Sequence, residues 1–152
     1  MDVKLKVSGR IAKPVHEVFE AVADPGQLSG YFTTGGAEGR LETGSTVTWD
    51  FADFPGAFPV KVVEVIKDKR IVLNWGAAEG AAIDPSGDTT VTMTFEALED
   101  GRTLVTITET GWGETQKGFD SAMGNTEGWT GMLCAMKAFL EHGINLREGF
   151  YR

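Results

Sequence analysis

The sequence predicts an α+β protein in which a curved antiparallel sheet of about seven strands is covered by a long C-terminal helix. Three observations predict this class. Apolar and polar residues alternate in several short segments between about residues 38 and 108, which is typical of half-buried strands. Two short helical patterns precede these segments, and a long amphipathic helix follows them. A sheet with one apolar face requires such a helix to cover it.

Length and charge limit the class of protein further. The chain has 152 residues, which favours one domain spanning residues 1–152. Its formal net charge of −8 opposes binding to nucleic acid, which depends on basic side chains. No segment approaches the roughly 18 apolar residues of a membrane span. The first residues, MDVKLKVSGRIAKP, lack the apolar core of a secretory signal, so a cytoplasmic protein is expected.

The N-terminal part contains one strand and two helices. Residues 3–9 alternate between apolar and lysine-bearing positions, which predicts a strand. Pro14 suits the start of a helix, where its missing N–H is harmless. Asp24 is a good N-cap for a second, short helix within DPGQLSGYF. The apolar stripe of the first helix consists of Val15, Val18, Phe19 and Val22.

The middle of the chain predicts strands joined by short turns. Three glycine-rich segments, 35–39, 76–82 and 111–118, are predicted to be loops. Strands with one apolar and one threonine-rich face are typical of antiparallel sheets with one solvated side. The alternating segments are 47–51, 71–75, 91–97 and 104–108, and residues 60–66 form a further strand of ambiguous parity.

The closing helix begins near Asp120 and ends at Gly143, a plausible C′ glycine. Its apolar side combines a tryptophan with methionines and leucines. Gly128 and Gly131 each weaken the helix by about 1 kcal/mol relative to alanine. They therefore indicate a close approach or mobility at this point.

Four segments of the chain resemble START-like (helix-grip, SRPBCC) proteins. They are KPVHEVFEAVADPGQLSGYF, VVEVIKDKRIVLNW, TLVTITETGW and GWTGMLCAMKAFLEHG. Within that superfamily the chain is most similar to the activator of heat-shock protein 90 ATPase. The resemblance implies a seven-stranded antiparallel sheet gripping the C-terminal helix, with a cavity between them. It also implies binding of lipids, sterols or polyketides, or cyclisation and dehydration of polyketides. The namesake activator implies a chaperone partner.

The candidate cavity lining contains the inward-facing residues of the strands and the closing helix. Spacing alone favours a filled core at these positions. Aromatic residues and flexible methionines suit an adaptable apolar pocket, and with the resemblance they favour a pocket wall. The candidates are Trp49, Phe51, Trp75, Met93, Phe95, Ile107, Trp129, Met132, Leu133 and Met136.

Glu109 is the one candidate polar group in this lining. It shares the parity of Val105 and Ile107, so an unbroken strand would point it inward. A buried carboxylate would anchor a ligand or act as a general acid or base. The alternative is that the strand ends or bulges there and leaves Glu109 in solvent. The sequence slightly favours that alternative.

These residues lead to three hypotheses about function. The first is a non-enzymatic protein that binds a small hydrophobic molecule, either lipid-like or aromatic. The second is a cyclase or dehydratase that uses Glu109, and the third is a co-chaperone that activates a heat-shock ATPase. His16, His142 and Cys134 show no metal-ligand spacing, so no metal and no cofactor are expected.

Overall fold

A computed structural model describes residues 2–152. It contains seven strands and three helices. In chain order they are β1 (Val3–Ile11), α1 (Val15–Ala23), α2 (Pro25–Leu28), β2 (Gly36–Glu38), β3 (Thr46–Phe51), β4 (Phe54–Ile66), β5 (Arg70–Gly76), β6 (Asp88–Ala97), β7 (Thr103–Trp112) and α3 (Gln116–His142).

All seven strands form one antiparallel sheet in the order β1-β7-β6-β5-β4-β3-β2. Strands β2 to β7 follow one another as a meander, and β1 completes the far edge by pairing with β7. Helix α3 packs mainly against β1 and β7. The predicted fold class, including the two short helices after the first strand, is confirmed.

Two of the three glycine-rich segments are more ordered than predicted. Residues 36–38 form β2, which pairs with β3. At the third segment, β7 continues through Gly111 to Trp112, and α3 begins at Gln116 rather than near Asp120. Pairing with neighbouring strands extends β2 and β7, and sequence periodicity does not register it.

The predicted start of α2 and the predicted end of α3 agree with the structure, whereas the starts of α1 and α3 differ from the prediction. Asp24 caps α2 by accepting a hydrogen bond from the Gly26 N–H at 2.9 Å. Thr115 caps α3 by accepting from the Gly118 N–H at 3.0 Å. Gly143 ends α3 in the left-handed conformation, with φ of 67°. Pro14 was predicted to be the first residue of α1. It is instead the N-cap residue, and the helix begins at Val15.

The core lies between the inner face of the sheet and the helices. Apolar residues of the predicted parity on β3, β5, β6 and β7 are buried there with the apolar side of α3. The inner-face positions of one strand, β7, also include a carboxylate, and this residue organises the candidate site.

Candidate functional site

Glu109 is completely buried on the inner face of the sheet. Strand β7 does not end before this residue, so the expectation of a solvated Glu109 is wrong. Leu5 on β1 and Val91 on β6 flank it in register. Because both neighbouring strands continue the pairing, the inward parity of Val105 and Ile107 carries on to Glu109.

Four side chains donate hydrogen bonds to the Glu109 carboxylate. Trp129 Nε1 donates to Oε1 at 2.8 Å, and Trp75 Nε1 donates to Oε2 at 3.0 Å. Thr89 Oγ1 donates to Oε2 at 2.6 Å. Asn125 Nδ2 lies 3.1 Å from Oε1 and 3.2 Å from Oε2. A carboxylate offers about four acceptor positions, so donors from the protein itself fill this one.

The fold brings these donors together from two directions. Trp75 on β5 lies directly opposite Thr89 on β6, and both face the same side of the sheet as Glu109. Asn125 and Trp129 are four residues apart on α3, so they project from one face of the helix. Sequence reasoning missed Thr89 and Asn125. Their signals were the inward parity of Thr89 and the one-turn spacing of Asn125 from Trp129.

The carboxylate fixes the orientation of two tryptophan rings. An indole N–H can only donate, so Trp75 and Trp129 both require an acceptor when they are buried or half-buried. Glu109 supplies it to both, and their ring centroids lie 5.2 Å apart. The ring of Phe32 stacks on Trp129 at 5.6 Å. The result is an aromatic wall whose geometry depends on one buried charge.

An open pocket of about 360 Å³ lies against this wall. It is bounded by the first half of α3, by β3 to β5, and by the chain after α2. Most of its walls are aromatic rings. We call it the aromatic pocket, and its lining is Phe32, Phe51, Phe54, Trp75, Gly124, Asn125, Glu127, Gly128, Trp129, Arg147 and Tyr151.

The candidate residues separate into two groups. Phe51, Trp75 and Trp129 line the aromatic pocket, and Glu109 lies beneath two of them. The other seven belong to the packed core and are not part of that lining: Trp49, Met93, Phe95, Ile107, Met132, Leu133 and Met136. One of them, Trp49, touches the pocket wall from behind, with its ring 5.9 Å from that of Trp75.

Residues 146–152, which follow α3, cover one side of the pocket, and we call them the covering segment. The sequence analysis did not identify them. Arg147 forms a two-pronged ion pair with Asp53: Nε to Oδ2 is 3.0 Å and Nη2 to Oδ1 is 3.1 Å. Its guanidinium carbon lies 4.6 Å from the ring centroid of Phe51, 5.6 Å from Phe32 and 5.2 Å from Tyr151. This residue follows the end of the helical pattern, so no periodicity indicated it.

Gly131, one of the four glycines within α3, allows a close approach of Tyr151. A Cβ at this position would lie 2.7 Å from the Tyr151 hydroxyl, so any larger residue would require the tip of the tyrosine to shift. Gly128, by contrast, lines the aromatic pocket. On the other side of the covering segment, a groove of about 620 Å³ runs between α3 and residues 146–151.

Within residues 2–152, no group of three or more histidine, cysteine, aspartate or glutamate side chains could hold a metal ion. No helix in the same part of the chain is long and apolar enough to cross a membrane.

The sheet order, the two early helices and the gripped helix α3 define a START-like helix-grip protein. The family follows from comparison with known proteins. The family described as "Activator of Hsp90 ATPase homolog 1-like protein" matches residues 12–141, so the chain belongs to it. No curated protein matches the chain.

Several solved structures share this fold. The protein SSP2350 from Staphylococcus saprophyticus is 28% identical, with a TM-score of 0.78 over 95% of this chain and 96% of that one. Aha1 from Colwellia psychrerythraea, solved as a dimer, is 23% identical, with a TM-score of 0.76 over 93% and 98%. DynU16, from the dynemicin biosynthetic locus, is 23% identical, with a TM-score of 0.78; the match covers 95% of this chain but 49% of DynU16.

Proposed function

We propose that this protein binds a small apolar or aromatic molecule in the aromatic pocket. The observation that carries the proposal is an open aromatic pocket whose two indole walls are fixed by one buried carboxylate. The volume of about 360 Å³ lies within the range of small-molecule sites. The pocket lies toward the first half of α3, rather than along the whole contact between helix and sheet.

The rigidity of the walls favours binding. A ligand that must order its own site loses affinity, because each immobilised side chain costs about 0.5–1.5 kcal/mol. Here hydrogen bonds to Glu109 hold the rings of Trp75 and Trp129 in place. Stacking on preoriented rings would then add favourable contacts at little entropic cost.

The cyclase or dehydratase alternative is less well supported. A general acid or base must reach the proton that it transfers. Both Glu109 oxygens accept hydrogen bonds from the protein, and the residue is fully buried. Glu109 would therefore have to break existing bonds before it could touch a substrate. The likeness to DynU16 supports the shared fold and does not alter this argument.

The co-chaperone alternative rests on the family name. It predicts stimulation of a heat-shock ATPase through a surface rather than through the pocket. Two exposed aromatic side chains lie in this region: Phe54 in the pocket lining and Phe150 in the neighbouring groove. A stimulated ATPase rate that survives blocking of the aromatic pocket would favour this alternative.

Titration with N-phenyl-1-naphthylamine, an uncharged probe that fluoresces in apolar sites, tests the proposal. We expect saturable binding, weakened about tenfold in Trp129→Phe, which replaces the indole of the pocket wall with a smaller ring and removes its bond to Glu109. The matched control is Phe119→Leu, an exposed ring on the same helix that is not part of the pocket lining. Unchanged affinity in a folded Trp129→Phe variant would contradict the assignment of the pocket.

A further inference from the structure

We propose that the ligand of the aromatic pocket is an organic cation of the alkylated-ammonium class, and that Arg147 occupies its position when the site is empty. The inference rests on the proposed function, because it specifies the ligand chemistry of the same pocket. In this arrangement the chain after α3 acts as an internal competitor for the ligand.

The surroundings of Arg147 are those of a cation-binding cage. Its guanidinium lies within 6 Å of the ring centroids of Phe32, Phe51 and Tyr151, the range in which a cation is attracted to an aromatic face. The side chain is only 11% exposed. Two of the three rings belong to the body of the protein, and only Tyr151 belongs to the covering segment.

A carboxylate completes the cage. Asp53, whose side chain is 10% exposed, pairs with the guanidinium through two hydrogen bonds. Arg147 is also the one cationic residue in the pocket lining, where Glu127 supplies a carboxylate. A second guanidinium of the covering segment, that of Arg152, lies 4.8 Å from the ring centroid of Phe54. The site thus attracts positive charge from two residues of the same segment.

The charge of Asp53 explains why a ligand that displaces Arg147 must be a cation. If a ligand displaced Arg147, Asp53 would be left without its partner in a nearly dry position. An uncompensated buried charge is strongly unfavourable, so a neutral ligand would leave that penalty in place. A ligand with an alkylated ammonium group would restore both the ion pair and the contacts with Phe32 and Phe51.

Movement of the covering segment would also enlarge the site. Glu127, Arg147 and Tyr151 line both the aromatic pocket and the groove on the outer side of α3. When Arg147 and Tyr151 move aside, the two spaces join. The apolar groove then offers room for a hydrocarbon body attached to the ammonium group. Because the ligand must displace Arg147, its apparent affinity for the unmodified chain is lowered.

Calorimetric titrations with choline and with its uncharged isostere 3,3-dimethyl-1-butanol test the inference. In Arg147→Gln we expect choline to bind about tenfold more tightly than to the unmodified chain and about tenfold more tightly than the alcohol. Adding Asp53→Asn should reduce this preference to less than about twofold. The matched control is Arg102→Gln, which loses the same charge from an exposed pair with Asp100 and should leave choline affinity unchanged.

Equal affinity for the two probes in Arg147→Gln would overturn the inference, as would an equal gain in Arg102→Gln. The proposed function would still stand in either case if N-phenyl-1-naphthylamine binds. If Arg147→Gln does not fold, the unmodified chain provides the test. Saturating choline should move the NMR resonance of the Arg147 Nε–H, which donates to Asp53, toward the position of an exposed arginine. An unmoved resonance overturns the inference.

Discussion

The two halves of α3 contact the protein in different ways. The second half carries Met132, Leu133 and Met136, which are buried in an apolar core. The first half presents Asn125 and Trp129 to a buried carboxylate and borders an open pocket. One helix therefore seals the fold at one end and forms the wall of a cavity at the other.

The difference shows how a pocket is kept open in a small protein. In the second half, flexible apolar side chains fill the available space, as close packing favours. In the first half, large rings are held by hydrogen bonds to Glu109, so they are not free to collapse into the neighbouring space. Hydrogen bonds are directional and fix the position of a pocket wall, whereas dispersion contacts favour side chains that fill the available space.

Replacing Glu109 by leucine should have the largest effect on stability. Four donors would lose a buried acceptor, and each unsatisfied buried group costs about 1–3 kcal/mol. We expect the free energy of unfolding to fall by about 4 kcal/mol, measured by urea denaturation. Exposed Glu96 on β6 provides the control, and its replacement by leucine should change stability by less than about 0.5 kcal/mol. Similar losses in Glu109→Leu and Glu96→Leu would show that hydrogen bonds to Glu109 do not hold the first half of α3 in place.

Met136→Ala tests the other half of the helix. The side chain is fully buried, so truncation should lower the free energy of unfolding by about 3 kcal/mol through lost contacts and a residual cavity. The affinity for N-phenyl-1-naphthylamine should nevertheless stay within about twofold in the folded protein, because Met136 is not in the pocket lining. A large loss of probe binding would show that the two halves are coupled.

Glu141 gives the smallest expected effect and a pH dependence. The N–H of Ala12 at 2.9 Å, and then Lys137, lower the pKa of this carboxyl at the end of α3. A lowered folded-state pKa contributes stability above the unfolded pKa, about 4.3, and this contribution is lost as pH falls through the folded value. Glu141→Gln should therefore cost about 0.5–1 kcal/mol at neutral pH and almost nothing in strong acid.

Denaturation curves of Glu141→Gln between neutral pH and strong acid would check this sign. Glu17→Gln, at an exposed position on α1, is the matched control. A loss that stays constant down to low pH would mean that ionisation of Glu141 is not the source of its contribution.

Local periodicity predicted most of the fold and part of the site. The strands that carry Trp75 and Ile107 alternate clearly, so their inner faces could be assigned from the sequence. Beyond Ile107, the residues Thr108 to Gly111 supply no apolar signal, and the continuation of β7 depends on pairing with β1 and β6. The burial of Glu109 was therefore not decidable from its neighbours alone.

The position of the covering segment could not be predicted from local sequence patterns, for a different reason. Arg147 and Asp53 are 94 positions apart, and neither lies in a periodic element that indicates its partner. Whether a cavity is open or filled depends on side-chain volumes summed across distant strands and a helix. The sequence named Phe51, Trp75 and Trp129, half of the aromatic residues that line the pocket, but it could not divide its candidates between core and pocket.

Gly131 sets how closely the C-terminal segment approaches α3. A Cβ at this position would lie 2.7 Å from the Tyr151 hydroxyl, closer than two such atoms can stand. An alanine here would push the tip of the tyrosine away from the helix. The absence of a side chain at this position of α3 therefore decides how tightly the ring beside Arg147 is seated.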